Sequence, residues 1–142
     1  IEILESSLIE DVPAVLRNLR RLNEAGVRIS LDDFGTGFSN LQAALDLPLS
    51  GIKFDRSIIQ RLNHEGMLKA TIVSMTKLFQ SFGLYTVAEG IDTDAQRQFV
   101  ENVGMNYLQG YLFSEELMFE DADSYIRERV VKKQVANKGA AR

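Results

Sequence analysis

Five times in 142 residues a short apolar run gives way to apolar residues at helical spacing. The first four helical patterns stop at Gly26, Pro48, Gly83 and Gly104. Short apolar runs predict strands over 1–5, 27–31, 51–55, 84–88 and 107–113, the last interrupted by Gly110. The 3.6-residue period predicts helices over 12–25, 40–47, 67–82, 94–103 and 121–131. In the first helix Val12, Val15, Leu16, Leu19 and Leu22 line one face, Asp11 is a candidate cap and Pro13 suits the first turn.

Strand and helix in strict alternation imply an α/β fold, a parallel sheet with helices packed outside it. Right-handed crossovers leave two outcomes, an open doubly wound sheet or part of a (β/α)8 barrel. A barrel of about 250 residues spends about 31 on each unit, so this chain makes about 4.6 units. The arithmetic fits the C-terminal five-eighths of a barrel. Residues 1–131 then form the barrel portion, and 132–142 form a basic, disordered tail. The chain opens in mid-pattern at Ile1-Glu2-Ile3-Leu4-Glu5, as a segment of a longer protein would.

Composition excludes several chemistries. Without cysteine there is no disulfide framework and no thiolate zinc site. The single histidine, His64, argues against His-rich metal sites and Ser-His-Asp catalysis and reads as a solvated loop residue. A metal would be held by oxygen, which suits Mg²⁺ or Mn²⁺. No stretch reaches the roughly 18–20 apolar residues of a spanning helix. Six basic residues (Arg127, Arg129, Lys132, Lys133, Lys138, Arg142) crowd the last 16 positions. Residues 1–126 keep 10 basic against 19 acidic, a net charge of −9. That acidic body argues against binding a DNA or RNA polymer.

The polar residues recur at the carboxyl end of each strand in turn. They are Glu2 and Glu5, Asp32 and Asp33, Lys53 and Asp55, Glu89, and Gln109. In parallel α/β folds these ends form one face, and active sites sit there. Strands buried on both faces should be nearly all apolar. Six carboxylates on one face with one lysine cannot all ionise cheaply, and divalent cations would neutralise them. Adjacent aspartates on a strand point to opposite sides, so Asp32 and Asp33 would reach different metals, or one would bridge two. Paired metals between carboxylates are a recurrent solution for phosphodiester cleavage. Lys53 would then orient water or stabilise developing charge, and Glu89 would ligate metal or accept the water's proton.

Each piece has a plainer reading. Asp32-Asp33 also suits a cap and turn, Gly35-Thr36-Gly37 a flexible turn, and Lys53 with Asp55 a strand-end salt bridge. Their recurrence on five successive strands favours function. A dinucleotide fingerprint fits less well, although Asp55 lies 20 residues past Gly35. Asn40 stands at the third glycine position, and two aspartates before the glycines would repel a pyrophosphate.

At these residues the chain resembles the EAL-domain family, the bacterial phosphodiesterases that hydrolyse cyclic di-GMP. Asp32-Asp33-Phe34-Gly35-Thr36-Gly37-Phe38-Ser39-Asn40-Leu41 is similar to its DDFGTGxSxL signature. Ile52-Lys53-Phe54-Asp55-Arg56-Ser57 resembles its IKxDRS block, and Val87-Ala88-Glu89-Gly90-Ile91 its VAEGV block. Gln109-Gly110-Tyr111-Leu112-Phe113 resembles QGYLF, and Glu2-Ile3-Leu4-Glu5-Ser6 resembles EITES with Leu4 where Thr is usual. The likeness runs from Ile1 to about Phe113.

The resemblance implies a (β/α)8-like barrel and a two-metal site for Mg²⁺ or Mn²⁺. It implies hydrolysis of cyclic di-GMP to linear pGpG by the intact parent domain. By position, Glu2, Asp32, Asp33, Asp55 and Glu89 resemble metal ligands or near-metal carboxylates. Lys53 resembles the residue that positions the attacking water, Glu89 a candidate base, and Gln109 a polar group supporting the water. Glu5 resembles the carboxylate anchoring the loop from Asp33 to Leu41, which couples dimerisation to metal binding in the family. Asp92 stands where the family usually has Glu, shortening an arm that steadies the loop or the second metal. Ser114-Glu115-Glu116 replaces the usual basic-Pro pair. The Glu-Ala-Leu motif that names the family, and the Asn on the strand after it, would lie upstream of Ile1. The resemblance further implies a homodimer, a cytoplasmic site of action, and sensor or membrane segments in the parent. The alternative is a catalytically inactive cyclic di-GMP receptor or protein-interaction module. An inert barrel fragment would leave the strand-end acids unexplained.

Overall fold

The computed structural model describes residues 1–6, 12–36, 46–63 and 66–128. Five parallel strands run β1 (Glu2–Leu4), β2 (Ser30–Phe34), β3 (Gly51–Phe54), β4 (Tyr85–Ala88) and β5 (Tyr107–Leu108). Their spatial order is β1-β2-β3-β4-β5, so every strand neighbours the next in sequence. A doubly wound sheet reverses its order at a switch point. This sheet has no reversal, so its winding is that of consecutive barrel units. Among the described residues β1 and β5 each pair on one side only.

The helices are α1 (Val12–Glu24), α2 (Arg56–Gln60), α3 (Gly66–Ser81) and α4 (Asp94–Val103), and the chain is helical again over 119–128. Three of them end alike. Val27 N–H donates to Leu22 O, Leu84 to Phe79 O and Met105 to Val100 O, at 3.0, 3.1 and 3.1 Å. Gly26, Gly83 and Gly104 take the left-handed conformation that this closure needs. Thr93 caps α4, accepting from the Gln96 N–H while the Gln96 side chain accepts from the Thr93 N–H.

The core lies between the sheet and α2, α3 and α4. Leu31, Phe34, Ile52, Phe54, Ile59, Ile72, Phe79 and Val100 are all buried in it. Phe34 meets Phe54 and Phe79 edge to face, with centroids 5.6 and 5.1 Å apart. Each such pair contributes about 0.5–1.5 kcal/mol beyond its burial.

Several boundaries differ from the periodicity. The second strand begins at Ser30 and includes Asp32 and Asp33. Residues 56–60 form a helix that the periodicity does not show. The fifth strand stops at Leu108, because 111–113 turn back and Phe113 N–H donates to Gly110 O at 3.0 Å. Asp11, His64, the tail at 132–142 and the expected helix over 40–47, apart from its last positions, lie outside the described residues. No helix among the described residues is long and apolar enough to cross a membrane.

Candidate functional site

Lys53 sits on β3 with nearly all of its side chain buried. Its ammonium lies 2.7 Å from Glu89 Oε1, 2.9 Å from Glu2 Oε2 and 3.0 Å from Asp32 Oδ1. One cation from the third strand thus joins carboxylates from the first, second and fourth. Burial favours the neutral amine, but hydrogen bonds to Glu89, Glu2 and Asp32 outweigh it and hold Lys53 protonated.

The two aspartates do not diverge as strand alternation predicts. Pairing steps from Leu31 opposite Ile52 to Phe34 opposite Phe54, so β2 carries one more residue than β3 over that interval. The extra residue is absorbed in a bulge where Asp33 takes φ +57°. Asp32, Asp33 and Glu89 consequently each offer a carboxylate oxygen within 4.8 Å of the other two. Burial pushes the Asp33 carboxyl above its ordinary range, with the Asp32 and Asp55 charges adding and Lys53 opposing. Burial also raises Glu89, partly offset by Lys53.

The donor set fits a hard divalent cation. All three donors are carboxylate oxygens, and their spacing suits one ion with ligands about 2.0–2.6 Å away. Asp32 and Glu89 each bond Lys53 through one oxygen, which leaves the other outside that ion pair. The shared ammonium leaves a net negative charge, which adds to the effect of burial on Asp33.

The other expected residues occupy the same strand-end face in different ways. Asp55 caps α2, its Oδ1 accepting from the Ser57 N–H at 2.8 Å and from the Ser57 hydroxyl. It lies outside the three-carboxylate group but close enough to bias Asp33. Glu5 Oε2 accepts from the Gly35 N–H at 3.1 Å, tying β1 to the residue after β2, while its Oε1 is buried without a partner among the described residues. Gln109 is exposed and its backbone N–H donates to Ala88 O at 2.9 Å; its side chain makes no hydrogen bond among the described residues. Asp92 bonds α2: its Oδ2 accepts from Arg56 Nη2 at 2.9 Å and Gln60 Nε2 at 3.2 Å.

Sequence reasoning assigned no role to Arg56, Gln60 or Tyr111. The Arg56 guanidinium lies 5.3 Å from the Tyr111 ring centroid, and Gly90 backs onto its stem. Arg56 and Tyr111 each follow a strand's carboxyl end, which was the available signal.

Residues 1–116 match the family model for the EAL domain. The chain is 41% identical over 112 residues to MucR of Pseudomonas aeruginosa, a bifunctional diguanylate cyclase and cyclic di-GMP phosphodiesterase. That match covers 79% of this chain and 16% of MucR. The solved MucR phosphodiesterase structure, a c-di-GMP complex, superposes with TM-score 0.78 at 39% identity, over 85% of this chain and 49% of that one. A manganese and cyclic di-GMP complex of Klebsiella pneumoniae BlrP1 superposes with TM-score 0.76 at 30% identity, over 81% of this chain and 29% of that one. The chain therefore spans about half or less of the length of these relatives. A family match over most of its length, with the same fold and the strand-end acids in place, establishes that the chain belongs to the EAL domain family.

Proposed function

We propose that the full-length protein is a metal-dependent phosphodiesterase that hydrolyses cyclic di-GMP to linear pGpG. The observation that carries this reading is the Lys53 ammonium held by Glu2, Asp32 and Glu89 beside a converging Asp33. The names of MucR and BlrP1 support the substrate, and the BlrP1 complex supports a divalent cation.

Asp32, Asp33 and Glu89 would hold the cation, with Glu2 and Asp55 completing a second position. The all-oxygen donors favour Mg²⁺ or Mn²⁺. Bound there, divalent cations make water a nucleophile near neutral pH and stabilise both oxygens of an in-line displacement. With a carboxylate drawn off its ammonium to the cation, Lys53 would donate the freed N–H to the attacking water's oxygen and align it with phosphorus. Glu89 would accept the water's proton. The water oxygen bonds to phosphorus, the bond from phosphorus to the 3′ oxygen breaks, and that oxygen takes a proton from solvent. Gln109 supplies a neutral amide at the same face. Glu5 keeps the turn at Gly35 in place, and with it Asp33.

The same reading makes the protein a cytoplasmic homodimer with sensor domains elsewhere in its chain. The much greater length of its relatives supports the last point.

The test is turnover of cyclic di-GMP by the full-length protein with Mg²⁺ or Mn²⁺, and again with chelator. Metal-dependent formation of pGpG is the expected result. Tight binding without turnover would overturn it in favour of a receptor.

A further inference from the structure

Positive charge is unevenly placed on this acidic body. Ten basic residues fall within 1–126, and four of them, Arg17, Arg20, Arg21 and Arg28, lie within twelve positions that hold one acid, Glu24. The other six basic residues of 1–126 stand against 18 acidic ones. Lys53, Arg56, Arg97 and Arg127 each hold a carboxylate. The four arginines on and just after α1 are all exposed, and no guanidinium among them has a hydrogen bond or ion pair among the described residues. Helical geometry sets three of them on one outward face. Leu19 is buried, and two residues turn a helix by about 200°. Arg17 and Arg21, two positions before and after Leu19, therefore point away from the core, with Arg20 beside them. Arg21, Leu22 and Asn18 line an open groove along the same helix. As the crossover from β1 to β2, α1 runs along the flank of the sheet, whereas the acidic site opens at the strand ends.

We propose that this face of α1 docks on an anionic phospholipid surface, with Arg17, Arg20 and Arg21 paired to headgroup phosphates. The guanidinium is charged at every physiological pH, and its planar fork of N–H donors fits a phosphate bidentately. A protein partner would need an apolar centre to its interface, and this face presents arginines with only Leu22 at their edge. A bilayer needs no such centre. Basic residues bind its surface by charge, each strengthening the attachment about fivefold. The acids elsewhere on the body would repel a long polyanion wrapped around it. A planar surface meets the patch alone, because charges more than about 8 Å away are screened at physiological salt. Docking on this flank leaves the strand-end face open to solvent and substrate.

The test is co-sedimentation of the full-length protein with phosphatidylcholine vesicles, with and without phosphatidylglycerol, at low and high salt. Phosphatidylglycerol should strengthen binding, and high salt should remove that gain. Arg17→Gln, Arg20→Gln and Arg21→Gln combined should weaken the phosphatidylglycerol-dependent binding about 100-fold, with the melting temperature unchanged. The same three positions changed to Lys should keep most of it, because the charge is kept. Lys69→Gln with Lys77→Gln, exposed lysines on α3, should leave it unchanged. Binding indifferent to phosphatidylglycerol, full binding by the triple glutamine variant, or an equal loss in the lysine pair would each overturn the proposal. Indifference to the vesicles together with capture of poly-glutamate through the same arginines would also overturn it, and would assign the face to an acidic protein.

Discussion

The Lys53 ammonium and Glu89 Oε1 lie 2.7 Å apart on neighbouring strands, the shortest of the three ion pairs Lys53 makes. The strand register explains the contact. Phe54 pairs with Ala88, so Glu89 lies one step beyond the ladder and within reach of Lys53. Under the proposed function, water positioning and proton acceptance would sit side by side.

Lys53→Ala should lower the rate of cyclic di-GMP hydrolysis by at least about 100-fold, the usual scale for a lost proton-handling group. Affinity for cyclic di-GMP should change by far less. Turnover and calorimetric binding, measured on the same preparation, separate the two. Equal losses would remove Lys53 from the chemical step.

Asp33 carries a carboxyl raised by burial and by its acidic neighbours. In the folded state it holds its proton to higher pH than in the unfolded chain. Its contribution is thus intact below the unfolded carboxylate pKa and is lost as pH rises through the higher folded one. Asp33→Asn removes that repulsion, and asparagine tolerates the positive φ. Without metal the variant should melt higher at neutral pH by a few degrees, roughly the effect of 1 kcal/mol, with the gap closing in acid. It should also lose most of the stabilisation that Mn²⁺ gives the wild type. Thermal melts at several pH values, with and without Mn²⁺, check both. A variant that melts lower at neutral pH would count against Asp33 as a site of unrelieved repulsion.

Gly90 has φ +67°, and a Cβ there would meet both Cβ and Cγ of Arg56. Gly90→Ala should destabilise by about 1–3 kcal/mol from strain and overlap together. Combining it with Arg56→Ala should cost less than the sum of the two, because the overlap with Cγ and Cδ disappears and only that with Cβ remains. Denaturant unfolding of the four forms measures that coupling. Strict additivity would show that the contact does not matter.

Glu5 fixes the turn after β2 through the Gly35 N–H. Glu5→Ala leaves that donor without its carboxylate and should cost about 1–3 kcal/mol, as lost hydrogen bonds to charged groups do. It should also weaken Mn²⁺ binding, because Asp33 lies two residues before Gly35. Isothermal titration with Mn²⁺ reads the second effect. Unchanged metal affinity would reduce Glu5 to a stabilising role.

The alternation of strand and helix was legible because side-chain period follows backbone geometry residue by residue. So were three of the glycine stops, whose φ only glycine adopts cheaply, and the strand-end acids, which have no place in a buried strand. The helix at 56–60 was not, since five residues are too few to show a period. Nor was the early end of β5, which depends on Gly110 meeting the Ile91 backbone. The sequence placed Asp32, Asp33, Lys53 and Glu89 at strand ends. Only the tertiary structure decided that both aspartates face Glu89 and that Lys53 serves three carboxylates. A bulge moves a side chain across a sheet, and cross-strand register chooses its neighbours; both arise between strands distant in sequence. The position of Arg56 was decided in the same way, by Asp92, Gly90 and Tyr111 meeting from two other strand ends.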